Sequence, residues 1–169
     1  SIHCEGFSGE YRSGFDLVFK QIVNLMDEPT EQSRAEMSHM VNIVGGKMGA
    51  ERTEVDTDVK ELIRLIKGMG AEVNSVIAGN CTLSEIKRAP SVAVNCALCL
   101  DIGYAIGKSM EEKFGTPINS TILPYGIAAT ERWIRGAAKY LNMEKEAEDL
   151  IEKEYMFIKK EFEESKKYL

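Results

Sequence analysis

Apolar positions along this chain follow two alternating rhythms. Val41-Asn42-Ile43-Val44, Val73-Asn74-Ser75-Val76-Ile77 and Val92 to Leu98 are short, mainly apolar runs, and Ile118 to Leu123 reads as a fourth strand. Runs of this length, rich in β-branched residues, predict strands covered on both faces. Between them apolar residues recur every three or four positions, the helical period. Val59, Leu62, Ile63, Ile66 and Met69 share one face, with Asp56 to Asp58 placed to cap its start and Gly70 to close it. Ile102, Ala105, Ile106, Ser109 and Met110 form another, ended by Gly115 and Pro117. Phe15, Val18, Phe19, Ile22 and Leu25 predict a helix over 14–27, and Thr82 to Arg88 a short one stopped by Pro90. A further helix should run from Tyr125-Gly126 through Leu141. Residues 144–169, with nine acids and six lysines, read as one long charged helix. Its stripe of Ala147, Leu150, Ile151, Ile158 and Phe162 should pack on something.

Strands alternating with helices imply βαβ units. The expected fold is α/β: a three-layer, Rossmann-like domain with a mostly parallel sheet, at least four strands near 41–45, 73–77, 92–98 and 118–123, and a long C-terminal helix. Length agrees, since 169 residues make one domain. Ser1 without a Met suggests a piece cut from a longer polypeptide. In such sheets ligands sit beyond the carboxyl ends of the strands, so loops 45–56, 78–82, 99–101 and 123–127 are where chemistry is expected.

Composition narrows the class. At 44% hydrophobic and 28% charged the chain is globular rather than disordered. A net charge of −6 argues against a nucleic-acid-binding domain, and no apolar run is long enough to span a bilayer. No segment reads as a secretory leader. Four cysteines without a regular framework suggest a reducing compartment, the cytoplasm.

Few residues carry chemistry. Gly45-Gly46-Lys47-Met48-Gly49 follows a strand but has neither dinucleotide nor P-loop spacing, so it reads as a plain loop. His3 and His39 form no ligand spacing, and Trp133 reads as core. Cys96-Ala97-Leu98-Cys99 is a Cys-x-x-Cys, yet one such pair does not complete a structural zinc site. Cys96 lies inside a strand run and reads as a small core residue. Cys99 falls at the strand's carboxyl end, just before a helix, where the helix dipole suits a thiolate. It is the candidate metal ligand or reactive thiol; no catalytic residue is assigned.

Val94-Asn95-Cys96-Ala97-Leu98-Cys99, followed by Met110-Glu111-Glu112-Lys113-Phe114-Gly115-Thr116-Pro117, resembles the nitrogenase component 1 family. The likeness extends to Cys4-Glu5-Gly6-Phe7-Ser8-Gly9, Val41 to Gly45, Ala78-Gly79-Asn80-Cys81-Thr82 and Tyr125-Gly126-Ile127-Ala128-Ala129-Thr130. It is nearest the α subunit of the molybdenum–iron protein and its cofactor-assembly scaffold relative. Counted back from Gly115, Cys99 takes the place of the cysteine that ligates the family's iron cofactor; Cys96 does not, and Cys4 matches a cysteine that is not generally a ligand.

The resemblance implies that residues 1–169 are a single domain of an oxidoreductase subunit helping to hold an iron–sulfur-based metallocluster, with Cys99 as cofactor and metal ligand. It implies two partners, a paired homologous subunit and an ATP-dependent iron-protein reductase. The isolated segment should hold no cluster and be inactive. Where the family continues Gln-Ser-x-Gly-His-His, this chain has Tyr11-Arg12-Ser13-Gly14-Phe15-Asp16, without histidine, so dinitrogen reduction does not carry over. A cofactor-assembly scaffold without catalysis, and an α/β binding module without a cluster, stay open as alternatives.

Overall fold

The computed structural model describes residues 11–45, 52–77, 79, 81–100, 102–119, 121 and 124–168. The motif at Cys4 to Gly9, His3, the loop 46–49 and most of the last expected strand beyond Asn119 lie outside the described residues.

In chain order the elements are α1 (Tyr11–Asn24), α2 (Glu31–Glu36), β1 (Met40–Val44), α3 (Arg52–Gly68), β2 (Glu72–Ile77), α4 (Leu83–Arg88), a 3₁₀ turn (Ala89–Ser91), β3 (Val94–Ala97), α5 (Ile102–Phe114), β4 (Ile118–Asn119), α6 (Ile127–Leu141) and α7 (Glu144–Ser165). The four strands are all parallel, in the order β2-β1-β3-β4. Helices cover both faces, as the alternation predicts. On one face Leu62, Leu65 and Ile66 of α3, Trp133, Ile134 and Ala137 of α6, and Ala147, Leu150 and Ile151 of α7 bury Val41, Ile43, Val94 and Cys96. On the other, Phe19 and Val23 of α1 and Ile106, Met110 and Phe114 of α5 bury Val44, Ile77, Ala97 and Ile118.

Several expected boundaries move, each for a local reason. The helix expected to start at Asp56–Asp58 begins at Arg52. No Gly or Pro interrupts 52–56, and an Asp inside a helix costs no more than about 0.7 kcal/mol. The third strand is trimmed to Val94–Ala97 because the main chain is still in a 3₁₀ turn at Ser91, although Leu98 N–H donates to Val44 O at 2.9 Å. Among the described residues β4 covers Ile118–Asn119, and the Asn119 side-chain oxygen accepts from Thr121 N–H at 3.0 Å. In α1 the buried face is Phe19 and Val23, while Val18, and Leu25 just beyond the helix, are exposed. In α7 the expected stripe holds only for its first half: Ala147, Leu150 and Ile151 are buried, but Ile158 and Phe162 are exposed.

Three strands repeat Val-Asn, at Val41-Asn42, Val73-Asn74 and Val94-Asn95. The register places Asn42 beside Asn95, and a bulge between Val41 and Asn42 sets Ser75 opposite Asn42. The side chains form one buried polar row. Asn42 Nδ2 donates to Asn95 Oδ1 at 2.8 Å and to Ala89 O at 2.9 Å, while Asn74 Nδ2 and Ser75 Oγ both donate to Asn42 Oδ1. This row ties α4 and its 3₁₀ extension to the sheet, because Asn74 also donates to Glu85 O.

Candidate functional site

β1 and β3 lie side by side and release the chain at the same end of the sheet. Gly45 follows β1; Leu98 and Cys99 follow β3. Both loops face a cleft of about 490 Å³, walled by Leu62 and Leu65 of α3, Ile134 of α6 and Ile151 of α7, with Tyr125 and Tyr155 nearer its mouth. A volume of this order suits a bound cofactor or small molecule. The cleft stands where the parallel-sheet rule places it.

Cys99 is partly exposed at the inner edge of this cleft. Its sulfur accepts the main-chain N–H of Gly103, in the first turn of α5, at 3.3 Å. Its carbonyl accepts Tyr104 N–H at 3.0 Å. The residue thus closes the open amino end of α5 with both side chain and main chain. Gly45, at φ +89°, lies against Gly103 on the same side of the sulfur. A Cβ there would lie 3.1 Å from Cys99 Sγ and collide with Gly103 Cα. A Cβ on Gly103 would meet Val44 O at 2.5 Å. β1 and α5 therefore touch backbone to backbone beside the thiol, which only glycines allow.

Cys96 behaves differently. It is completely buried in the sheet layer, and burial pushes its thiol up to about 12, against a smaller opposing contact with the Asn119 side chain. Burial likewise raises the thiol of Cys81, helped by the Glu85 charge. His39 is an exposed side chain 4.0 Å from Glu72, far from ligand geometry. Trp133 is core, as expected, and its indole N–H donates to Ala97 O at 3.3 Å, bracing the end of β3.

The lining of the cleft also includes the carboxylates Asp58, Glu61, Glu131 and Glu154. Arg64 of α3 forks onto Glu154 of α7 with bonds of 2.7 and 2.8 Å, and onto Glu61 with bonds of the same lengths. These bonds hold both carboxylates below their usual range and raise the guanidinium further. Arg135 of α6 does the same for Glu148 of α7 at 2.6 Å. The two forks fasten α7 over the cleft.

The donor set decides what the site can hold. Among the described residues no three His, Cys, Asp or Glu side chains gather around a metal position. One thiol at the edge of a cleft, with an N–H supporting it, fits one corner of a cluster rather than a complete cage. Sequence reasoning found Cys99 through its strand-end position but passed over Gly45 and Gly103 as site residues. The available signal was Gly103 itself, a glycine just inside a helix start, where it costs stability unless close packing requires it.

The comparisons with known proteins agree with this architecture. The family described as nitrogenase component 1 type oxidoreductase matches residues 1–169. One subunit of the light-independent protochlorophyllide reductase of Trichormus variabilis is 33% identical over 103 residues, 60% of this chain and 20% of that protein. The corresponding subunit of Angiopteris evecta is 34% identical over 85 residues, 50% of this chain and 16% of the relative. The chain thus spans about a fifth of the length of such relatives. A solved structure described as nitrogenase Cp1 at pH 5 superposes with a TM-score of 0.73 at 21% identity, over 99% of this chain and 33% of that one. That likeness concerns the fold. With the family matched from end to end and the parallel sheet in place, this chain belongs to the nitrogenase component 1 type oxidoreductases.

Proposed function

We propose that residues 1–169 are one domain of a longer reductase subunit, and that Cys99 provides one thiolate ligand to an iron–sulfur-based cofactor seated at the carboxyl end of the sheet. The observation that carries this is the thiol's setting. Among the described residues it is the one cysteine lining the strand-end cleft, and a helix N–H supports its sulfur. When bound, such a cluster supplies electrons at a potential tuned by hydrogen bonds to its sulfurs and by solvent exposure. The chain's own residues do the rest. Cys99 binds, Gly103 N–H steadies the sulfur, and aliphatic side chains of α3, α6 and α7 wall the cleft. Relatives and structural neighbours are named as a protochlorophyllide reductase and a nitrogenase, which supports reductive chemistry as the class.

In this reading the remaining ligands come from other parts of the subunit, a paired homologous subunit completes the assembly, and an ATP-dependent iron-protein reductase delivers electrons in the cytoplasm. The isolated segment, offering Cys99 alone at this site, should hold no cluster. Among the described residues no helix is long and apolar enough to cross a membrane. The test is iron and acid-labile sulfide analysis of the full-length protein purified anaerobically. Stoichiometric iron and sulfide, with reduction of a substrate, is the expected result. A cluster handed to another protein without turnover identifies an assembly scaffold, and a metal-free protein identifies a binding module.

A further inference from the structure

We infer that the turn Tyr155-Met156-Phe157-Ile158 of α7 is a docking element, seated in an apolar, polar-rimmed groove that a further domain of the same subunit supplies. This rests on reading residues 1–169 as one domain of a longer polypeptide, as proposed above, and not on Cys99 being a ligand. Successive residues of an α-helix point about 100° apart, so four apolar residues in a row cover its whole circumference. Nowhere else does α7 place four apolar residues in succession. The side chains of this turn are 56%, 67%, 60% and 39% exposed in chain order. A helical turn that is apolar on every side belongs in an interior, and a contiguous apolar patch marks an interaction surface where scattered single residues would not. Both signs of charge flank it, with Glu152 and Lys153 before and Lys159, Lys160 and Glu161 after. That is the polar rim an apolar seat requires.

Two observations choose the occupant. Tyr155 and Ile158 line the strand-end cleft together with Tyr125 and Ile127 at the start of α6, whereas Met156 and Phe157 are outside that lining. An occupant must therefore cover the cleft mouth and also reach round the helix. A second copy packed turn against turn would cover one side of each helix and leave the other wet. The superposition supplies the second observation. It takes in 99% of this chain, α7 included, but 33% of the nitrogenase chain, so the same helix is built into a polypeptide about three times as long. The nearest mass able to enclose the turn is then the remainder of its own subunit.

The test uses the full-length protein with benzoylphenylalanine in place of Phe157, illuminated and then digested for mass spectrometry. The expected product is a cross-link from position 157 to residues of the same polypeptide outside 1–169, with the polypeptide mass unchanged. A cross-link to another subunit or to a second copy overturns the occupant, and no cross-link from folded protein overturns the docking. Should the bulkier side chain prevent folding, the smaller Met156→Cys decides. In folded full-length protein, judged by protection of Cys96, iodoacetamide should label Met156→Cys at least about tenfold more slowly than in concentrated urea, whether or not other subunits are bound. Labelling at the unfolded rate, or protection that needs another subunit, overturns the proposal. Iron-free protein would remove the Cys99 reading and leave both results standing. A full-length polypeptide no longer than this domain would remove the longer-subunit reading itself, a failure distinct from either measurement.

Discussion

Two cysteines three residues apart have opposite surroundings, and their protons should report it. Cys96 is sealed in the sheet layer, where burial moves its thiol from 9.0 up to about 12. Between those values the unfolded chain loses the proton and the folded chain keeps it. The stability this provides is complete below the unfolded value and is lost as pH rises toward about 12. Urea midpoints of the unaltered chain should therefore fall more steeply above pH 9 than those of Cys96→Ala, by at most about 1.4 kcal/mol per pH unit. Parallel slopes would mean that Cys96 is not protected as described. Local position separated the two residues in the sequence, because one lies inside an apolar run and the other at its end. The glycines beside Cys99 were less legible. Their importance comes from two segments far apart in the chain meeting backbone to backbone, which no local pattern records.

Elements whose burial is set by periodicity were read well, and those set by tertiary neighbours were not. The α3 face, with Leu62 and Ile66 buried and Met69 buried just beyond its end, follows its spacing. In α7 the spacing continues through Ile158 and Phe162, but the domain it packs on ends earlier, near the Arg64–Glu154 fork. The helix therefore has an energetic division. Leu150→Ala should cost roughly 2–4 kcal/mol in urea denaturation, since it empties packed core. Phe162→Ala, at a residue 60% exposed, should change stability by no more than about 0.5 kcal/mol. Equal losses at the two positions would place the distal half against the domain. The small α2 was missed because Glu31-Gln32-Ser33-Arg34-Ala35-Glu36 has no apolar face; its signal is the reciprocal cap of Thr30 with Ser33. The Asn row was half legible. The repeated Val-Asn stood in three predicted strands, but only parallel pairing in register turns three asparagines into one network.

At the scale of the whole molecule, the family match and the superposition on a third of a nitrogenase chain make this a part-sized α/β unit with an open cleft at its chemical end. Its sheet order and its cleft follow from alternating strands and helices. The proposed metal site does not, because in that reading Cys99 is one ligand and the others come from elsewhere in the assembly. The proposed cofactor role stands or falls on that meeting happening at Cys99. The most direct measurement is the iron and acid-labile sulfide content of the full-length protein, prepared anaerobically as the unaltered form, as Cys99→Ala and as Cys96→Ala, with folding of each checked by circular dichroism. The unaltered protein and Cys96→Ala should carry the same cluster content, and folded Cys99→Ala should lose that cluster. Equal cluster content in all three, or loss confined to Cys96→Ala, would contradict the assignment of Cys99 as the ligand.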